Sequence, residues 1–285
     1  MIEAKLALKR CKTEKSIVPV SPGCTVGSDE LLIVGGPCAV ENLEQMNQVA
    51  SVLSSGPVSA IRGGLFKPRT SPYSFQGLGA DGLSIIESTK SISQLPYVSE
   101  VMSKEQIDIG INHIDMLQIG SRNMQNFELL KEVGKTDKPV LLKRGLSSTV
   151  EEMILAAEYI MSEGNNKVIL CERGIRSFDN STRNVLDLGA VAVLKQMTHL
   201  PVIVDPSHAA GRADIIPDLA RAAIACGADG LIIEAHPEPR KSVSDAKQAL
   251  SLEELVELTW SLEPIAKALG RSLPQPRRRL RRKAA

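Results

Sequence analysis

Apolar residues along this chain gather into eight short runs: Leu31–Val34, Ser59–Ile61, Tyr97–Val101, Met116–Ile119, Val140–Leu142, Val168–Leu170, Val202–Val204 and Leu231–Ile233. Each ends in Gly, Pro or a polar cluster. Several hold adjacent β-branched residues and are apolar at consecutive rather than alternate positions, the pattern of parallel strands buried on both faces. Successive runs start roughly 20–40 residues apart, which leaves room for one helix between each pair.

The intervening segments change period. Ser148-Thr149-Val150-Glu151 reads as a capping box, followed by Met153, Ala156, Ala157 and Ile160 on one helical face. Ile215, Ile216, Leu219, Ala222, Ala223 and Cys226 make a second stripe, stopped by Gly227. Ser251-Leu252-Glu253-Glu254 opens a last helix with Leu255, Leu258, Leu262 and Ile265 beneath it. Eight strand–helix repeats predict an α/β fold, a closed (β/α)8 TIM barrel over residues 30–270. A doubly wound open sheet competes with it, but no G-x-G-x-x-G follows the first run. Residues 1–29 form an extension, in which Ile17, Val18, Val20 and Val26 around Pro22-Gly23 predict a hairpin across the barrel floor. Residues 271–285 are expected to be a basic, disordered tail.

Composition agrees with one large soluble domain: 285 residues, 43% apolar and 24% charged. The net charge of +1 conceals an asymmetry, because residues 271–285 carry seven Arg or Lys and no acid. The body between the basic ends is therefore acidic. It lacks an aromatic-basic stripe, so no nucleic-acid partner is expected, and no apolar run approaches the roughly 18 residues of a membrane span. Cys11, Cys24, Cys38, Cys171 and Cys226 are odd in number and follow no C-x-x-C spacing. Basic residues interrupt the first fifteen positions, unlike a signal peptide, so a reducing cytoplasm is the expected location.

In a barrel the chemistry sits on the loops after the strands. Those loops offer Cys38, His208, Glu234 and Asp245, a mixed thiolate, imidazole and carboxylate set that suits a borderline divalent ion such as Mn²⁺, Fe²⁺, Co²⁺ or Zn²⁺. Taken singly, Cys38 is as readily a small core residue and Glu234 an ion-pair partner. The same rim carries Arg62, Lys67, Arg69, Arg122, Lys143 and Arg173. Six cations at one mouth imply an anionic ligand, with one phosphate engaging two or three of them and a second anion the rest.

These residues sit in runs that resemble the 3-deoxy-D-arabino-heptulosonate 7-phosphate (DAHP) synthase family. The runs are G-P-C-A-V-E at 36–41, R-G-G-L-F-K-P-R-T-S-P-Y-S-F-Q-G-L-G at 62–79, Q-I-G-S-R-N-M-Q-N-F at 118–127, L-L-K-R-G at 141–145, I-L-C-E-R-G-I-R at 169–176, V-D-P-S-H-A-A-G-R at 204–212 and S-D-A-K-Q at 244–248. The pattern is similar to the compact bacterial and archaeal subgroup that includes 3-deoxy-D-manno-octulosonate 8-phosphate synthase. The resemblance implies condensation of phosphoenolpyruvate with D-erythrose 4-phosphate, the first step of the shikimate pathway. It implies Cys38, His208, Glu234 and Asp245 as ligands of a divalent metal, Mn²⁺ first. Phosphoenolpyruvate falls to Arg62, Lys67, Gly120, Ser121, Arg122, Lys143 and Arg173, and the aldose phosphate to Arg69, Thr70 and Ser71. Lys67, with the ligands Cys38 and His208, is expected to carry catalysis, and Glu100 and Asp205 to position water or a ligand. A homo-oligomer, dimer or tetramer, is the expected assembly.

Two positions depart from the family pattern. Ala39 replaces the usual Ser, which predicts Asn42 as the cap of the next helix, and Lys247 stands beside the expected ligand Asp245. The rival functions are condensation with arabinose 5-phosphate, a paralogue of secondary metabolism using another aldehyde, and a catalytically dead barrel. Lys67-Pro68-Arg69-Thr70 argues against the first, and the intact ligand set against the last. Regulated relatives carry an added domain that neither end of this sequence is long enough to hold, so little response to Phe, Tyr or Trp is expected.

Overall fold

The structure, a computed structural model describing residues 2–277, is a closed barrel of eight parallel strands. A hairpin of β1 (Val18–Ser21) and β2 (Cys24–Val26) precedes it. The barrel strands and their helices follow in strict alternation at first: β3 (Leu32–Gly36), α1 (Leu43–Leu53), β4 (Ala60–Arg62), α2 (Leu83–Ser93), β5 (Tyr97–Glu100), α3 (Lys104–Gly110), β6 (Met116–Ile119), α4 (Phe127–Gly134), β7 (Val140–Lys143), α5 (Val150–Ser162), β8 (Val168–Glu172) and α6 (Leu188–Met197). Then come β9 (Val202–Val204), the short α7 (Pro206–Ala210), α8 (Ile216–Ala225), β10 (Gly230–Glu234), α9 (Leu252–Ser261) and α10 (Glu263–Ala268). Pairing of Glu234 with Gly36 closes the ring.

Strand alternation sorts the core into two layers. Leu32, Val34, Ala60, Val98, Met116, Leu141, Ile169, Ile203 and Ile232 fill the barrel interior, where Val18, Val20, Cys24 and Val26 of the hairpin join them. The neighbouring positions, among them Ile33, Ile61, Leu117, Leu142, Leu170, Val204 and Ile233, pack outward against the helices. The hairpin therefore plugs the floor with apolar side chains, and the opposite rim is left free for polar ones.

All eight predicted runs are strands, and several continue one or two residues past the apolar run. Arg62, Lys143, Glu172 and Glu234 lie on the ladder rather than after it. Their backbones still pair while the side chains of Arg62, Lys143 and Glu234 follow the interior positions up to the open rim; Glu172 alternates outward and is buried toward α6. The expected capping box lies one residue later, between Thr149 and Glu152, whereas that of Ser251 and Glu254 is as the sequence predicts. The last helix is not continuous. Pro264 cannot donate an N–H to the preceding turn, so the chain stops at Ser261 and restarts as α10. Asn42 does cap α1, its side chain accepting from the Gln45 N–H.

Residues 271–273, expected to open a disordered tail, are instead held to the barrel. Arg271 pairs with the buried Asp229, Ser272 donates its N–H to the Asp29 carbonyl, and Leu273 is buried. An ion pair and an apolar anchor hold this stretch to the floor, and residues 278–285 of the predicted tail lie outside the described residues. No helix among the described residues is long and apolar enough to cross a membrane.

Candidate active site

Cys38, His208, Glu234 and Asp245 come from four separate loops or strand ends, yet one donor atom from each lies within 4.8 Å of all the others. Gly36 starts this convergence. Its φ of +136° suits only glycine, and a Cβ there would sit 2.3 Å from the Arg62 carbonyl, so β3 can turn sharply and carry Cys38 under the rim. Asp205 caps α7, accepting from the His208 N–H at 2.9 Å, and so aims the His208 ring inward. Its Oδ2 lies 2.8 Å from His208 Nδ1 but out of line for a hydrogen bond, and His208 Nε2 faces Glu234 Oε2 at 3.5 Å. Asp245 has a φ of 60°, a left-handed conformation for a residue with a side chain, and Cys38 Sγ lies 3.2 Å from its Oδ2.

The electrostatics of this cluster fit a cation that its donors surround. Burial pushes the Cys38 thiol up, raises the Glu234 carboxyl to about 7 and lowers His208 to about 3. Each buried donor is thus held from its charged form by desolvation, and Glu234 Oε1 is buried with no hydrogen-bond partner. A divalent cation would reverse these preferences for the thiol and the Glu234 carboxyl, and take the neutral imidazole as it stands. The Asp245 carboxyl is already held low: burial opposes its charged form, but His208, Cys38 and Arg183 outweigh burial. Gln248 Nε2 donates to Glu234 Oε2 at 2.7 Å and fixes that side chain.

Above the cluster opens a cavity of about 520 Å³. Arg62, Lys67, Arg69, Thr70 and Ser71 line one side, and Gly120, Ser121, Arg122, Lys143 and Arg173 the other, with His208 and Asp245 at its base. Cys38 and Glu234 lie beneath, Cys38 beside a small adjoining hollow with Arg62 and Lys67. The structure thus brings every predicted site residue to one place. A Cβ at position 120 would lie 2.0 Å from Glu100 Oε1, so glycine there leaves room for that carboxylate.

Few of the cations are neutralised. Lys143 is paired with Asp205 at 2.5 Å, and Arg62 Nη1 is buried without a hydrogen bond, 3.9 Å from Glu234 Oε2. Arg173 spends its donors on the Gly174 and His208 carbonyls, and burial lowers its pKa, so an anion would complete it. Arg69 Nη1 reaches Ser244 Oγ, and Arg122 forms no ion pair among the described residues.

The sequence reading missed Arg176 and Arg183, which reach the same cavity from the loop between β8 and α6. Arg183 also pairs with Asp245 at 3.1 Å. The signal available was the basic content of residues 173–183, spread too far from the strand end to be read as rim. Gln118 and Asn184 line the cavity as well, with no charge to mark them. Arg144 points the other way, into a buried pair with Glu172.

Comparison with known proteins agrees with this geometry. The model of the DAHP synthetase I family matches residues 12–269. The phospho-2-dehydro-3-deoxyheptonate aldolase of Thermotoga maritima is 46% identical over 266 residues, covering 93% of this chain and 78% of that protein. A 2-dehydro-3-deoxyphosphooctonate aldolase of Xylella fastidiosa is 31% identical over 270 residues, 87% of this chain and 97% of its own. The crystal structure of the Thermotoga maritima DAHP synthase superposes with a TM-score of 0.91 at 43% identity, over 95% of this chain and 79% of that one. Its truncated form gives 0.87 at 41% identity over 94% and 98%. Two-layer barrel, rim chemistry and family match coincide over nearly the whole length, and the chain belongs to the DAHP synthetase I family.

Proposed function

We propose that this protein condenses phosphoenolpyruvate with D-erythrose 4-phosphate, giving 3-deoxy-D-arabino-heptulosonate 7-phosphate and inorganic phosphate. One observation carries the reading: a four-donor cluster lies at the base of a cavity whose walls carry Arg62, Lys67, Arg69, Arg122, Lys143, Arg173, Arg176 and Arg183, most of them outside any ion pair among the described residues. Two anionic substrates and one divalent ion fill that arrangement without leaving a buried charge uncompensated.

Arg122, Lys143, Arg173 and Arg62 hold the carboxylate and phosphate of phosphoenolpyruvate, with the Gly120–Ser121 backbone against it. Arg69, Thr70 and Ser71 take the phosphate of the aldose, and Arg176 and Arg183 add charge on that open side. Holding both substrates at reacting distance supplies an orientation effect of several kcal/mol, up to roughly 7–11 in favourable cases. A divalent metal on Cys38, His208, Glu234 and Asp245, Mn²⁺ in the first instance, supplies Lewis acidity toward the aldehyde carbonyl. Lys67 donates a hydrogen bond or proton to the aldehyde oxygen as C3 of phosphoenolpyruvate bonds to the aldehyde carbon. Water then adds at C2, and the C2–O bond breaks to release phosphate. Asp205 holds Lys143 and orients the His208 ring throughout.

Lys67-Pro68-Arg69-Thr70 and the higher identity to the heptonate enzyme favour erythrose 4-phosphate over arabinose 5-phosphate. Proline removes a backbone donor and fixes φ in the loop that would meet the sugar. Purified protein incubated with phosphoenolpyruvate and each aldose in turn, with phosphate release measured, tests this. Equal kcat/KM for the two sugars overturns the assignment. Exhaustive chelation is expected to abolish turnover and Mn²⁺ to restore it. A cytoplasmic homo-oligomer belongs to the same reading, and the native mass from light scattering measures its assembly.

A further inference from the structure

Asp245 stands in the left-handed region with a side chain, a conformation that costs about 1–3 kcal/mol and persists only where its surroundings impose it. The loop that carries it is anchored downstream, where the Gln248 N–H donates to the Asp245 carbonyl and Leu250 pairs beside Ala235 at the end of β10. Upstream, Arg69 Nη1 and Cys38 Sγ reach Ser244 Oγ at 2.5 and 3.5 Å, and the two residues before Ser244 meet a carboxylate from another loop. Glu41 Oε1 accepts from the Val243 N–H at 3.1 Å, and Ser242 Oγ lies 3.4 Å from it. Ser242 Oγ in turn donates to the Ser244 carbonyl at 2.7 Å, and Ser244 Oγ reaches Asp245 Oδ2 at 3.2 Å.

His236 packs behind Glu41. Its Nδ1 accepts from the Glu238 N–H at 2.9 Å, which leaves the ring hydrogen on Nε2, 3.3 Å from Glu41 Oε1 but out of line for a hydrogen bond. Glu41 itself lies three residues after Cys38. The intervening loop is locked to β4 by reciprocal hydrogen bonds, Val40 N–H to the Gly64 carbonyl and Gly64 N–H to the Cys38 carbonyl. A carboxylate rigidly joined to one member of the cluster therefore grips the turn that bears another.

We propose that Glu41 is a positioning residue of the metal centre: it ties the turn carrying Asp245 to the loop carrying Cys38 and so sets the spacing of two ligands. The inference rests on the metal reading above, and Glu41 touches neither substrate nor metal. Partners that orient metal ligands are typically worth about 10–100-fold in metal affinity.

Metal-stripped protein titrated with Co²⁺ tests it, because a cobalt–thiolate charge-transfer band reports Cys38 directly. Glu41→Ala is expected to bind Co²⁺ about 10–100-fold more weakly than wild type, with the melting temperature of the stripped protein unchanged. Glu41→Gln keeps an acceptor for the Val243 N–H and is expected to recover most of the affinity. Val243→Pro deletes that N–H from the opposite side of the grip and provides a second variant should alanine at 41 not fold. Val243 is exposed, and Ser242 before it, at φ −57° and ψ 130°, already suits a following proline. Wild-type Co²⁺ affinity in either Glu41→Ala or Val243→Pro overturns the proposal. A wild-type protein without the cobalt–thiolate band counts against the metal centre itself, and Cys38→Ser identifies the band.

Discussion

Lys67 Nζ lies 2.8 Å from Cys38 Sγ and 3.1 Å from the Cys38 carbonyl oxygen. The contact holds the ammonium between the four-donor cluster and the cavity. Burial works to discharge it, but an ionised Cys38, the form a bound metal would impose, and Glu100 outweigh burial and hold its pKa above the ordinary lysine value. Lys67 thus remains a proton donor at neutral pH. Lys67→Ala is expected to lower kcat by about 10²–10⁴-fold, the usual yield of a positioned general acid. Metal content measured after dialysis should be retained, which separates loss of the donor from loss of the centre. A kcat within about threefold of wild type would remove Lys67 from the chemistry.

Gly36 and Gly164 both have positive φ, +136° and +107°, but only one is crowded. Around Gly164 a Cβ meets nothing within 4 Å, whereas at Gly36 it would fall 2.3 Å from the Arg62 backbone carbonyl. Gly164→Ala should therefore cost about 1–3 kcal/mol, the strain of a left-handed residue alone. Gly36→Ala adds displacement of β4, so urea unfolding is expected to place it clearly below Gly164→Ala, with activity lost as Cys38 and Arg62 shift. Equal destabilisation of the two would mean that the close approach of β3 to β4 is not rigid.

Cysteine reactivity follows the burial pattern. Cys11 is exposed, and its hydrogen bond with Thr13 lowers its pKa from the ordinary thiol value. Burial raises Cys24 to about 12 and lifts Cys171 further. A thiol whose pKa is lowered holds more thiolate at any pH below that value, so labelling of Cys11 should rise at lower pH than labelling of a free cysteine. Native protein treated with a thiol reagent at pH 8 is expected to modify Cys11 first and to leave Cys24 and Cys171 protected. Mass spectrometry of the labelled peptides reads the order directly, and early labelling of Cys171 would contradict a closed barrel.

The eight strands were legible because each is buried on both faces and most are apolar at consecutive positions, with Ser99, Glu100 and Gln118 as polar exceptions toward the rim end. The site was legible because barrel geometry sends the residue after each strand to one rim, and Cys38, Lys143, Arg173 and His208 all stand there. Arg183 escaped notice because a loop residue eleven positions beyond Glu172 has no periodicity to say where it returns. Arg144 shows the complementary difficulty. It is as basic as Lys143 and adjacent to it, and only the alternation of the strand decides that Lys143 faces the cavity. The break before Pro264 was visible in the sequence but overridden by an unbroken apolar stripe from Leu255 to Ile265, which two short helices satisfy as well as one.

Arg144, which faces away from the cavity, is expected to stabilise the fold more than the cations that line it, for reasons its surroundings specify. Its Nη1 pairs with Glu172 at 2.9 Å and Asp187 at 3.0 Å, and its Nε donates to the Ser148 carbonyl at 2.9 Å. Glu172 is fully buried, and its other oxygen accepts the Gly174 N–H at 2.6 Å. Asp187 caps α6. One guanidinium thus joins the ends of β7 and β8 to the start of α6, and it brackets the loop that delivers Arg173, Arg176 and Arg183. Arg144→Ala leaves the Glu172 carboxylate buried without its charge partner, at a cost of about 3–5 kcal/mol. Arg144→Ala with Glu172→Gln removes the uncompensated charge and should restore part of that stability. Thermal or urea unfolding of the three proteins decides the matter. A single Arg144→Ala variant destabilised by less than about 1 kcal/mol would mean that water reaches Glu172 and that the loop is held by other contacts.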